Sequence, residues 1–165
     1  MLTAAKIKCI IFDVDGVFTD GRLYYSEQGE TIKAFHVHDG LGVKLLQQHG
    51  IIVAIISGRE SAIVTQRMTE LGIKYIYQGH SEKLTAFEHL LALLKYDPLH
   101  FAYMGDDLPD LPVMQKVGFS ITVPNANAII REHADWQTQA LGGNGAVREA
   151  CEFLLTAQQK SFFKL

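Results

Sequence analysis

Short apolar runs recur along this chain, each punctuated by Gly, Asp or Ser and separated by stretches with helical spacing. The runs are Ile7 to Phe12, Ile51 to Ile56, Tyr75 to Tyr77, Phe101 to Met104 and Phe119 to Val123. Several are β-branched or aromatic and short enough to be buried strands. Helix-like stretches cover Gly42 to Gln48, Ser61 to Leu71, Glu82 to Leu94, Leu108 to Lys116, Ala126 to Glu132, and Ala146 to about Gln159. Strand, helix and next strand close as a right-handed crossover. The alternation therefore predicts an α/β fold of Rossmann-like type, a parallel sheet with helices on both faces. Ligands of such sheets sit at the carboxyl ends of the strands.

One segment departs from this rhythm. Gly21 to Val37 holds two β-prone runs, Leu23 to Tyr25 and Thr31 to Phe35, around Ser26-Glu-Gln-Gly-Glu30. That pattern reads as a β-hairpin inserted after the first strand, a flap over about 21–37 that is too short for a separate cap domain. No linker or internal repeat divides the chain, and its 165 residues read as a single domain, 1–165. The 48% hydrophobic content supplies a core, and no apolar run is long enough to span a membrane. The N-terminus lacks the long apolar stretch of a secretory signal. Cys9 and Cys151 stand far apart, with neither disulfide-framework nor metal-ligand spacing. These features point to the cytoplasm. A formal charge of −3 disfavours a nucleic-acid protein with a broad basic surface, but leaves an anionic small molecule open.

Chemistry gathers where strands end. Asp13-Val-Asp15-Gly16 closes the first run and Gly105-Asp106-Asp107-Leu-Pro-Asp110 closes a later one. Either cluster alone is compatible with ordinary turn chemistry. Two clusters at neighbouring strand ends, with Ser57 and Lys83 between them in sequence, can instead converge on one hard cation such as Mg²⁺.

These residues resemble the haloacid dehalogenase superfamily of phosphatases. Its first motif is matched by IIFDVDGVFTDG, its second by Ile-Ile-Ser57-Gly58-Arg59, its third by Lys83 and its fourth by Gly105 to Asp110. The resemblance implies Asp13 as nucleophile and Asp15 as general acid and then base. It implies Mg²⁺ on Asp13, the Asp15 carbonyl oxygen and Asp106, with Asp107 or Asp110 in support, and Ser57 and Lys83 on the phosphoryl oxygens.

The hairpin, SGR and Gly142-Gly-Asn-Gly-Ala-Val-Arg-Glu149 further resemble one subfamily, the 3-deoxy-D-manno-octulosonate 8-phosphate phosphatases of lipopolysaccharide precursor synthesis. That likeness implies an acidic sugar phosphate bound by Asp15, His36, Val37, His38, Asp39, Gly40, Lys44, Arg59, Arg67 and Lys83, with Arg suited to a carboxylate. It also implies a capless homotetramer whose hairpins meet and whose Gly-rich segment contributes to a neighbouring site. His36 and His38 depart from the residues other members often carry. A sialic acid 9-phosphate is an alternative substrate, and a non-catalytic oligomerisation module an alternative of another class. His80, His89, His100 and His133 lack ligand spacing and read as surface or capping residues; Trp136 reads as packing at the sheet edge. The tail Gln158 to Leu165 either frays or docks on another subunit.

Overall fold

The computed structural model describes residues 3–161. Its main sheet has six strands in the order β5-β4-β1-β6-β7-β8. They are β1 Cys9–Phe12, β4 Ile52–Ile56, β5 Tyr75–Tyr77, β6 Phe101–Met104, β7 Phe119–Thr122 and β8 Trp136–Gln137. All neighbouring pairs are parallel; Phe12 aligns with Ile55 on one side and Met104 on the other. Every residue of β1, β6 and β7 is buried, which is why these runs are apolar throughout rather than alternating.

Chain order runs from β1 through β4 to β5, then jumps to β6 on the other side of β1. The sheet therefore has its switch point between β1 and β6, and the carboxyl ends of those two strands open into a crevice. Right-handed crossovers place α1 Val37–Gln48 and α2 Ala62–Glu70 on one face, and α3 Lys83–Leu94, α4 Leu111–Met114 and α5 Ala128–His133 on the other. The last helix, α6 Ala146–Ala157, returns to pack along α1.

The hairpin forms as expected, from β2 Tyr24–Ser26 and β3 Gly29–Ile32, antiparallel with a register shift at Tyr24/Tyr25. Three boundaries differ from the sequence reading. Helix α1 begins at Val37, not Gly42, because the His36 ring nitrogen accepts from the His38 amide at 3.3 Å and caps the helix start. Pro109 and Pro112 split the Leu108–Lys116 stretch into a 3-10 turn, Leu108–Asp110, and the short α4. The edge strand β8 is two residues long, too short to register as a pattern; Trp136 holds it by stacking on Phe153 at 4.3 Å. Of the tail, residues 162–165 lie outside the described residues.

Candidate active site

The cleft lies at the switch point. It has a volume of about 470 Å³ and is lined by Asp13, Asp15, Ser57, Arg59, Lys83 and Asp106, with Asp107 and Asp110 at one wall. Backbone pairing carries past the end of β1, the Asp13 amide donating to the Met104 carbonyl at 2.9 Å, so the two acidic strand ends are held side by side. Between Asp15 and Asp106 the chain needs Gly16. Its φ is +94°, and a Cβ there would fall 2.0 Å from Asp106 Oδ2.

Lys83, the first residue of α3, is the centre of the constellation. Its Nζ donates to Asp13 Oδ1 and Asp110 Oδ1, both at 2.6 Å, and all three side chains are buried. Asp110 is fully committed elsewhere. Oδ1 also accepts from the Tyr103 hydroxyl at 2.6 Å, and Oδ2 accepts from the amides of Asp106 and Asp107 at 3.0 and 3.1 Å. Asp110 therefore fixes both Lys83 and the turn that carries Asp106. Ser57 directly follows β4, its Oγ accepting from the Arg59 amide at 3.3 Å.

Charge in this cleft is unbalanced. Carboxylate oxygens of Asp13, Asp106 and Asp110 come within 4.8 Å of one another around a single ammonium. Burial, then the charge of Asp110, pushes the Asp13 carboxyl well above its ordinary range despite Lys83. The same two causes push Asp106 up to about 7. For Lys83, burial acts downward but the two carboxylates more than offset it, and its pKa rises. Asp13 and Asp106 thus present hard oxygen donors whose mutual repulsion a divalent cation would relieve, and that donor set suits Mg²⁺.

A family profile described as haloacid dehalogenase-like hydrolase matches residues 75–148, a span that includes Lys83 and Asp106. The 3-deoxy-D-manno-octulosonate 8-phosphate phosphatase KdsC of Escherichia coli (strain K12) is 48% identical over 157 residues, 95% of this chain and 84% of that protein. The chain belongs to the haloacid dehalogenase-like hydrolases, in the family of these phosphatases. A crystal structure of the Moraxella catarrhalis 3-deoxy-D-manno-octulosonate 8-phosphate phosphatase, in complex with magnesium ion, phosphate ion and KDO, superposes with a TM-score of 0.93. It is 49% identical and the match covers 96% of this chain and 91% of that one. The cobalt-bound phosphatase (YrbI) from Haemophilus influenzae matches with a TM-score of 0.94 at 43% identity, over 96% of this chain and 93% of that one.

Within this phosphatase chain, Asp13, Asp15, Ser57, Arg59, Lys83 and Asp106 all line the one cleft. The remaining candidates gather elsewhere. Asp39 is buried at the start of α1, where Oδ1 accepts from the Arg148 amide at 2.8 Å. Its Oδ2 has no hydrogen-bond partner among the described residues, and burial pushes its pKa up. A Cβ on Gly40 would stand 2.6 Å from an Arg67 Nη, so Arg67 sits against the 36–40 segment; it also pairs with Glu70 at 3.6 Å. His36 and His38 pack edge to face at 4.8 Å, and Val37 is 73% exposed. Lys44 is exposed beside Gln47, Gln48 and Glu70. None of these lines the cleft of its own chain.

Three other groups shape the site without having stood out in the sequence. Lys33, from the hairpin, reaches Asp15 Oδ1 and pairs with Glu30 at 3.0 Å. Tyr103 holds Asp110 from inside β6. Asn125 bridges Gly16 and Gly142, donating to the Gly16 carbonyl at 3.3 Å and accepting from the Gly142 amide at 2.8 Å. A Cβ on Gly142 would lie 1.7 Å from the Gly16 oxygen, so the Gly-rich segment packs on its own chain's 16–20 loop. A charged residue on a hairpin strand or a tyrosine in an apolar strand carries no pattern that separates it from its neighbours. Only the close approach in space does.

Proposed function

We propose that this chain hydrolyses the phosphomonoester of 3-deoxy-D-manno-octulosonate 8-phosphate, in a Mg²⁺-dependent reaction that gives the free sugar acid and inorganic phosphate. The observation that carries the reading is the cleft itself. Asp13, Asp15, Lys83 and Asp106 converge at the switch point of a fold shared with a relative crystallised with magnesium, phosphate and KDO.

Each residue then has a task. An Asp13 carboxylate oxygen attacks phosphorus in line with the sugar oxygen, the phosphorus–oxygen bond to the sugar breaks, and an aspartyl-phosphate forms. Asp15 hands a proton to the departing alkoxide, then takes one from the water that hydrolyses the aspartyl-phosphate, so Asp13 is regenerated. Lys83 and Ser57 hold the transferring oxygens, the ammonium as a point charge and the hydroxyl as a donor. Mg²⁺, held by Asp13, the Asp15 carbonyl oxygen and Asp106, lets an anionic carboxylate meet an anionic phosphate and offsets charge on the phosphoryl group. Arg59, with its side chain 40% exposed at the cleft wall, is in place for the sugar carboxylate.

The whole chain serves as one catalytic domain whose open cleft is completed by association into a homotetramer. Two features support this. Leu23, Tyr24, Tyr25 and Ile32 expose apolar surface on the hairpin, joined by Val37 and Leu41 on α1. The 36–40 segment, Lys44 and Arg67 stand away from their own cleft, so they meet substrate from a neighbouring chain. Among the described residues no helix is long and apolar enough to cross a membrane, in keeping with a cytoplasmic enzyme.

A panel of sugar phosphates tests the substrate. The acidic eight-carbon ester should show the highest kcat/KM, ahead of a sialic acid 9-phosphate and of neutral hexose phosphates. Preference for a neutral hexose phosphate would remove the carboxylate-binding roles of Arg59, Arg67 and Lys44.

A further inference from the structure

The hairpin meets the cleft residues Asp15 and Arg59 through a charge network in which Lys33 and Glu30 have as yet no role. Lys33 follows β3 directly, and its side chain is 1% exposed although it belongs to a surface hairpin. Its Nζ touches Asp15 Oδ1 on one side and Glu30 Oε1 at 3.0 Å on the other. Glu30 in turn accepts from Arg59 Nη2 at 3.4 Å, and the same Nη2 donates to the Tyr25 hydroxyl at 2.8 Å. Two acids and two bases thus balance, so the ammonium is buried without leaving a net charge. The network spans the hairpin, the loop after β1 and the end of β4. Its one member with a proposed part in bond breaking is Asp15.

A buried lysine is costly to hold unless its charge is met, and here Nζ pairs with two carboxylates, those of Asp15 and Glu30. Nζ takes up Oδ1 of Asp15 and fixes the carboxylate plane. Oδ2 stands 3.6 Å from Arg59 Nε, an atom with no hydrogen-bond acceptor among the described residues, and Asp15 lines the cleft. A general acid works only from the correct side of the leaving oxygen, and an error of about 1 Å in placement can cost on the order of 10²-fold in rate.

We propose that Lys33 is a positioning residue for the general acid: anchored to the hairpin by Glu30, it holds Asp15 with one oxygen free to protonate the leaving group. The inference rests on the phosphatase reading given above. Through Lys33 the hairpin sets the geometry of proton delivery.

The test uses the dependence on leaving group in the Mg²⁺-loaded full chain. A sugar alkoxide needs a proton as it departs, whereas p-nitrophenolate leaves without one. The value of kcat/KM reports the steps up to loss of that group. Lys33→Met should lower kcat/KM for 3-deoxy-D-manno-octulosonate 8-phosphate by about 10²-fold, the lower range for losing general acid catalysis. For p-nitrophenyl phosphate the fall should stay within roughly fivefold, since no proton transfer is lost. Lys33→Arg should recover part of the sugar phosphate activity. Should Lys33→Met fail to fold in a thermal melt, Glu30→Gln frees the lysine from its anchor while keeping the charge on Asp15's partner, and the same selective loss is expected at smaller size. An equal loss on both substrates, or no loss on either, overturns the positioning role. An unmutated protein that turns over neither ester overturns the phosphatase reading instead, and the role of Lys33 with it.

Discussion

Replacing Asp106 by Asn should make the metal-free protein more stable while removing its response to Mg²⁺. Asp106 shares a tight space with Asp13 and Asp110, and burial together with the Asp110 charge raises its pKa from 3.8 to about 7. At ~1.4 kcal/mol per pKa unit the full displacement corresponds to about 4 kcal/mol. Partial exposure to water screens this to about 2 kcal/mol. The sign follows from proton binding. The folded carboxyl keeps its proton to higher pH than the unfolded one, so its contribution is fully favourable below pH ~4 and is lost as pH rises through about 7. Asn is uncharged at every pH and keeps the shape of the carboxyl group it replaces. In EDTA at pH 8, Asp106→Asn should therefore melt about 4–8 °C above the parent, and at pH 5 the gain should shrink to less than half. Excess Mg²⁺ should raise the parent's melting temperature by mass action and leave the variant's unchanged. Thermal melts by circular dichroism at the two pH values, with EDTA and with Mg²⁺, check all of this. A variant less stable than the parent at pH 8, or one that gains as much from Mg²⁺, would show that repulsion among these carboxylates is not what the cation relieves.

Two further outcomes follow from the same geometry. Lys83→Met leaves Asp13 and Asp110 buried without their ammonium, which should cost about 3–5 kcal/mol and abolish turnover, as seen in urea melts and a phosphate-release assay. If the 36–40 segment and Arg67 serve a neighbouring cleft, Asp13→Asn and Arg67→Ala, each impaired alone, should regain activity when unfolded together and reassembled; activity no higher than that of the separate variants would place Arg67 outside any substrate site.

Much of this site is written in local pattern. Asp13, Ser57 and Asp106 each close an apolar run, and a parallel sheet carries such ends to one edge. Lys83 is legible only as the match to the family's third motif, since a lysine opening a helix is ordinary by itself; its contact with Asp13 needs the fold. The rest needed three dimensions. Lys33 has the polarity of any hairpin residue, and only folding the hairpin back brings its ammonium to Asp15. Asp39 and Gly40 look like a loop before a helix; the His36 cap makes them its first turn, and Asp39 then receives the Arg148 amide from α6. Gly142 and Gly143 read as a flexible stretch, yet their lack of side chains lets the segment press against the loop behind the acidic motif, with the Gly143 amide donating to the Val17 carbonyl at 2.9 Å. Lys44 and Arg67 sit on α1 and α2 and do not line the cleft of their own chain, a placement that only the folded helices reveal.

We propose Asp13 as the nucleophile, the residue whose carboxylate oxygen bonds to phosphorus. Quenching the Mg²⁺-loaded protein in acid during turnover of 3-deoxy-D-manno-octulosonate 8-phosphate, then mapping its peptides by mass spectrometry, examines this directly. A phosphoryl group on the peptide holding Asp13, absent in Asp13→Asn and in EDTA, is the expected result. Full turnover by Asp13→Asn, or a phosphoryl group carried on another residue, would contradict it.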